Sequence, residues 1–242
     1  IGTYWFEVFG IYPILEIIGV LGSGKTRLGT MIVLLSKKGF IITDPTNQNL
    51  PWLIDGLRPT LLLDDWDKVM RENRRIVESL LKHVYKQTAE IPRLIQRPRG
   101  GFVLHLFNPY CPLCITTTEE ISESQLSRRI IGLQTTKTTK QFPPIGDPKL
   151  FFKNYWNEER KKLYELMFLL APKVYKTYTE LKVDLPSPYN EIWLPILAIA
   201  KLIDEKIFEE VLNYAKEQIE EKTENVYWEE NLILRAIHEI IE

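Results

Sequence analysis

The sequence predicts an α/β fold: a parallel β-sheet flanked by helices, followed by an all-helical lid domain. Three observations carry that expectation. Gly19-Val20-Leu21-Gly22-Ser23-Gly24-Lys25-Thr26 fits G-x-x-x-x-G-K-[ST] at every fixed position, between an apolar β-type run, Ile14 to Ile18, and a helical run, Arg27 to Ser36. Thr60-Leu61-Leu62-Leu63 is a short apolar run closed by Asp64 and Asp65, the pattern of a central parallel strand with carboxylates at its C-terminal edge. Beyond residue 148 strand-type runs stop and helical periodicity takes over. The core is therefore expected at 1–140 and the helical portion at 149–242.

The first motif is a phosphate loop, and its chemistry asks for these residue types. Gly19, Gly22 and Gly24, with Ser23 among them, let the backbone turn tightly and bring its N–H groups against a polyphosphate. The helix starting near Lys25 adds its positive dipole end. Lys25 supplies a point charge for the β- and γ-phosphates, and the Thr26 hydroxyl is a ligand for Mg²⁺. A glycine-rich turn before an ordinary helix would need neither the preceding strand nor Lys-Thr. ATP and Mg²⁺ are the expected cofactors.

Asp64 and Asp65 read as a Walker B pair facing the loop from the adjoining strand. Asp64 would hold Mg²⁺ through water and Asp65 would polarise the attacking water. The bland reading, two acids capping a following helix at Asp67 to Gln87, loses ground because a complete phosphate loop precedes them. Ligands of open α/β sheets bind at this strand edge.

Composition sets the outer bounds. The chain has 242 residues, 45% hydrophobic and 26% charged, with a net charge of −1. These are the proportions of a globular protein, and no overall basic character announces nucleic acid, so any DNA contact must be local. No apolar run approaches membrane-spanning length and the N-terminus lacks the basic start of a signal peptide, so a cytoplasmic protein without a membrane partner is expected. The chain begins at Ile1, which suggests a fragment of something longer. Cys111 and Cys114 form one C-x-x-C pair without a second pair or nearby histidines; they read as buried small residues rather than zinc ligands.

In chain order, the aromatic opening segment 1–13 is expected to pack on the core. Phe40 to Thr43 reads as a second strand, and a short helix runs from about Gln48 to Asp55, capped at Thr46 or Asn47. Helix Asp67 to Gln87 carries a basic face with Arg71, Arg74, Arg75, Lys82 and Lys86, read as solvated. Ile91 to Gln96 and Phe102 to Phe107 flank a Pro/Gly turn and suggest a hairpin with a basic tip, Arg93, Arg97 and Arg99. That tip either meets a phosphate backbone or is an exposed turn.

The next strand ends in Thr116-Thr117-Thr118, where Thr117 or a neighbour would sense the γ-phosphate. A short helix, Glu119 to Gln125, precedes Arg128 and Arg129, placed where an arginine could reach the nucleotide of a neighbouring subunit. A strand, Ile130 to Gln134, and a linker at 135–148 follow. The helices are then read as Asn157 to Leu170, Ala171 to Glu180, Asn190 to Ile203, Glu205 to Glu221 and Tyr227 to Glu242.

Phosphate loop, Walker B pair, threonine-ended strand, Arg-Arg element and helical lid occur in the order typical of AAA+ ATPases, and residues 14–135 resemble them in order and spacing. More narrowly, Phe107-Asn108-Pro109-Tyr110-Cys111-Pro112-Leu113 running on to Leu126-Ser127-Arg128-Arg129-Ile130-Ile131, and Glu191-Ile192-Trp193-Leu194-Pro195-Ile196-Leu197-Ala198-Ile199-Ala200, resemble ATPase domains associated with phage and archaeal plasmid primases. The chain departs from that group in having Asp65 where Glu is usual, and Pro188, Tyr189 and Asn190 where a lid arginine often stands.

The resemblance implies an AAA+ motor working as a homo-oligomeric, hexameric ring that hydrolyses ATP to move DNA in plasmid, viral or mobile-element replication. Lys25, Asp65, Thr117, Arg128 and Arg129 would be catalytic, Thr26 and Asp64 metal-binding, and Arg93, Arg97 and Arg99 nucleic-acid-binding. The alternative is a nucleotide-dependent protein remodeller or switch with no grip on DNA.

Overall fold

The computed structural model describes residues 1–42, 49–68, 80–98, 100–121, 124–140 and 153–241. Among them are seven strands: β1 (Ile14–Ile18), β2 (Gly39–Ile42), β3 (Thr60–Leu63), β4 (Ile91–Gln96), β5 (Phe102–Phe107), β6 (Leu113–Thr117) and β7 (Ile130–Gln134). Five form one sheet in the order β2-β3-β6-β1-β7, all neighbours parallel, while β4 and β5 make a separate antiparallel hairpin. β1 pairs on both sides, from Ile14 opposite Leu113 and Ile130 to Ile18 opposite Thr117 and Gln134. A parallel strand enclosed on both faces needs a near-continuous apolar run, which β1, β3 and β6 supply.

Strand alternation divides the core into two layers. Ile17, Leu62 and Cys114 meet Val33 of α1 (Lys25–Leu35), with Leu28 and Ile32 beside it. On the other face Ile14, Leu61, Leu63, Leu113, Ile115 and Ile130 pack with Leu50 and Ile54 of α2 (Asn49–Leu57) and with Trp66, Leu81 and Leu126. Leu126 lies in the one-turn helix α3 (Ser124–Ser127). Burial raises both thiols, Cys114 to about 12, in keeping with small buried residues. No cluster of His, Cys, Asp and Glu suited to a metal occurs among the described residues.

Among the described residues the helical portion contains α4 (Lys153–Glu180), α5 (Tyr189–Ile203) and α6 (Glu205–Ile241). Tyr4, Trp5, Phe6, Phe9 and Tyr12 pack with Tyr110, Val174 and Ile199, so the opening segment joins the sheet to these helices. The Tyr110 hydroxyl lies 2.7 Å from the carbonyl oxygens of Phe6 and Phe9, and the Trp5 indole donates to the Met167 carbonyl at 3.0 Å. Ile131 of β7 joins a further cluster with Ile192, Trp193, Leu197 and Ala215. No helix among the described residues is long and apolar enough to cross a membrane.

Several expected boundaries move. Two helices expected on either side of Leu170 are one, because Pro172 removes a single backbone donor, a loss that a long, packed helix tolerates. Likewise α6 continues through residues 222–226, which contain neither glycine nor proline. The helix expected to reach Gln87 gives way to turns after Leu81, and Lys86 bridges to Ile11; Arg71, Arg74 and Arg75 lie outside the described residues. The one-turn helix starts at Ser124 rather than Glu119, and α2 runs past Gly56 to Leu57. Thr46 and Asn47 lie outside the described residues.

Candidate nucleotide site

The loop between β1 and α1 is built for close backbone approach. Gly22 and Gly24 have φ of 81° and 91°, left-handed values that glycine adopts without steric cost. A Cβ on Gly19 would sit 2.3 Å from Thr135 Oγ1 and 2.7 Å from the Thr135 carbonyl oxygen, so only glycine fits between β1 and the chain leaving β7. Thr135 also bonds Ser23 Oγ at 2.8 Å and donates to the Ile18 carbonyl at 2.9 Å. It braces the loop from a segment that reads as linker by composition. The signal for it was its place at the C-terminal end of the strand beside β1.

Helix α1 begins with the Leu28 N–H donating to the Gly24 carbonyl at 2.9 Å. The preceding amides, from Gly24 to Arg27, have no acceptor within the helix, and together with the helix dipole they favour an anion. The Lys25 ammonium lies inside the loop, on the carbonyls of Gly19 and, at 3.4 Å, Val20.

Asp64 faces this loop across the sheet edge. Its Oδ1 accepts the hydroxyls of Thr26 at 3.0 Å and Thr116 at 2.7 Å. The expectation of an adjoining strand is corrected here: β6 lies between β1 and β3, so the acid reaches the loop past Thr116. The long excursion through the hairpin gives the chain length to return between them. A hydroxyl and a carboxylate are the hard oxygen donors Mg²⁺ takes, so Thr26 and Asp64 fit that ion. Asp65 is exposed, with φ of 56°, and its N–H donates to Thr116 Oγ1 at 2.9 Å.

The two threonines of β6 divide by strand alternation. Thr116 touches Asp64; Thr117, expected to sense the γ-phosphate, turns to the opposite face and donates to Glu16 Oε1 at 3.1 Å. Glu16 also accepts the Ile121 N–H at 3.0 Å. Burial raises its carboxyl to about 7, against these hydrogen bonds and Lys222, with Glu120 adding to the rise. Thr116 is thus the member of the Thr116-Thr117-Thr118 run placed at the loop, while Glu16 carries no comparable signal in the sequence.

Arg128 and Arg129 lie at the other end of the sheet. The Arg129 carbonyl accepts the N–H of Ile14, the first residue of β1, and the strand's length separates this turn from the loop by about 15 Å. Arg129 is turned onto its own chain, 4.5 Å over the Tyr85 ring and 3.4 Å from the Lys82 carbonyl. Arg128 is exposed. On the hairpin, Arg97 is exposed at the tip and Arg93 is half-buried, its guanidinium 6.0 Å over the Phe107 ring; Arg99 lies outside the described residues. The hairpin's base is fixed to α2 through Asp55, which accepts His105 Nε2 at 3.0 Å and the Asn108 N–H at 3.2 Å.

A glycine loop between strand and helix, and an acid reaching it past an intervening strand, decide the architecture. This is a parallel five-stranded α/β sheet with a glycine loop and an acid meeting at one edge.

No family model matches the chain, and no curated protein does. Among solved structures it is similar to the active helicase Cch of SCCmec type IV, at 12% identity and a TM-score of 0.48, covering 93% of this chain and 48% of that one. A JCV helicase structure follows at 12% identity and a TM-score of 0.37, over 91% of this chain and 60% of that one. The C-terminal region of NrS-1 matches at 18% identity and a TM-score of 0.34, over 85% and 42%. The chain spans about half the length of the solved chains it resembles.

Proposed function

We propose that the chain is the ATP-hydrolysing part of a ring-forming, hexameric motor that moves or unwinds DNA. The observation that carries the catalytic half is the shared carboxylate oxygen of Asp64, bonded to Thr26 at the head of α1 and to Thr116 at the end of β6. The loop amides and the Lys25 ammonium would hold the phosphates. Bound Mg²⁺ would supply charge neutralisation for the β- and γ-phosphates, with Thr26 and Asp64 holding it. Thr116 would orient Asp64 and the backbone of Asp65, and Asp65, exposed at the rim, would take the proton of the attacking water. With the arginine turn at the opposite sheet end, Arg128 would serve the site of a neighbouring subunit, which makes the ring a requirement for turnover.

The DNA half rests on the hairpin, whose exposed tip residue Arg97 suits a phosphate backbone, while Arg93 sits nearer the hairpin's base against Phe107. The net charge of −1 favours a second reading, a remodeller acting on protein. ATPase assays with and without single-stranded DNA separate the two. Stimulation that disappears in Arg97→Ala supports the motor; hydrolysis indifferent to DNA at low salt supports the remodeller.

A further inference from the structure

Helix α6 runs along the outer edge of β7. Tyr214, Gln218 and Lys222 recur at every fourth position and so share one face of the helix. An edge strand has backbone groups with no strand to pair with, and this stripe supplies partners for them. The Gly132 N–H donates to Gln218 Oε1 at 3.3 Å; Gln218 Nε2 at 2.8 Å and the Tyr214 hydroxyl at 2.6 Å approach the Gly132 carbonyl. One helical turn on, Lys222 Nζ donates to the carbonyls of Ser127 at 2.9 Å and Ile130 at 2.7 Å. Those two carbonyls bracket Arg128 and Arg129.

We infer that Lys222 is a positioning residue for Arg128: by tying both ends of the Ser127–Ile130 turn to α6, it fixes the direction in which the arginine is presented to a neighbouring subunit. The inference rests on the reading of Arg128 as acting in trans. Arg129 has its own anchors in Tyr85 and the Lys82 carbonyl, whereas the exposed Arg128 depends on the backbone beneath it. The ammonium is held there at a cost. Burial lowers the Lys222 pKa, opposed by Glu120, Glu16 and Glu221, and a methionine would be easier to bury but could not bond the two carbonyls. A shift of α6 would therefore turn Arg128 with it, linking the helical portion to a neighbour's hydrolysis.

The test mixes subunits. Lys25→Ala abolishes a subunit's own site but leaves its arginine turn intact; Lys222→Met should do the reverse. Lys222→Met alone should lose at least about tenfold in turnover, a fraction of what a trans arginine contributes. Its nucleotide affinity should stay within about twofold of wild type, and activity should return on mixing with Lys25→Ala, because the two defects then fall on different sides of one interface. Arg128→Ala should behave alike. Gln218→Met, which unpairs β7 away from the turn, should lower thermal stability while keeping its own turnover, and Lys222→Gln, a shorter and uncharged side chain whose amide cannot reach as Nζ does, covers the case in which Lys222→Met does not fold. Wild-type turnover in both Lys222 variants overturns the inference, as does failure of Lys25→Ala to rescue them while it rescues Arg128→Ala. If Arg128→Ala is not rescued either, it is the trans role of Arg128 that fails.

Discussion

Replacing Glu16 by Gln should make the protein more stable at neutral pH and remove a pH dependence that the wild type carries. Glu16 is 1% exposed, in the middle of β1 with strands on both sides, and burial lifts its carboxyl from 4.5 to about 7. The folded state therefore binds this proton more tightly than the unfolded chain. Its contribution is fully present below about pH 4.5 and is lost as pH rises towards 7. The rise corresponds to about 3 kcal/mol between the two ends of that window. A glutamine keeps an oxygen for the Thr117 hydroxyl and the Ile121 N–H and has no charge to desolvate. Urea unfolding of both proteins between pH 4.5 and 8 should give a stability gap that moves in favour of Glu16→Gln by about 3 kcal/mol and then levels off. In a chain of this size that is a melting difference of roughly 6–12 °C. Parallel pH profiles, or a wild type that gains on Glu16→Gln as pH rises, would refute the burial argument.

Two further predictions concern the loop and its neighbours. Thr116→Val should lower turnover about a hundredfold by removing a donor to Asp64 and the acceptor of the Asp65 N–H, while Thr117→Val should spare turnover and act on the Glu16 titration instead; single-turnover phosphate release distinguishes them. Gly19→Ala should cost about 1–3 kcal/mol and weaken nucleotide binding, since its methyl group meets Thr135 backbone as well as side chain; thermal melts with and without ATP read both effects.

Much of this architecture is legible in local pattern. The loop, the hairpin and the apolar strands β1, β3 and β6 announce themselves because glycine spacing, a Pro/Gly turn and unbroken apolar runs are local properties. Sheet order is not local: nothing in Thr60 to Asp65 says that β6 will lie between it and β1. Neither does the run Thr116-Thr117-Thr118 say which hydroxyl faces the acid, since the strand's phase is set by packing on both faces. Thr135, Gln218 and Lys222 act through partners far along the chain, Ile18, Gly132 and Ser127, which nothing in their own local sequence announces. Continuity of α4 and α6 was missed for another reason, because a polar stretch or one proline weakens a helix without ending it.

The most direct test is phosphate release from ATP by the wild type, Lys25→Ala and Asp65→Asn, each with and without Mg²⁺, alongside nucleotide binding. Mg²⁺-dependent release is expected from the wild type alone, with Asp65→Asn still binding ATP and Lys25→Ala binding it weakly. Release that persists undiminished in Asp65→Asn or Lys25→Ala would contradict that expectation.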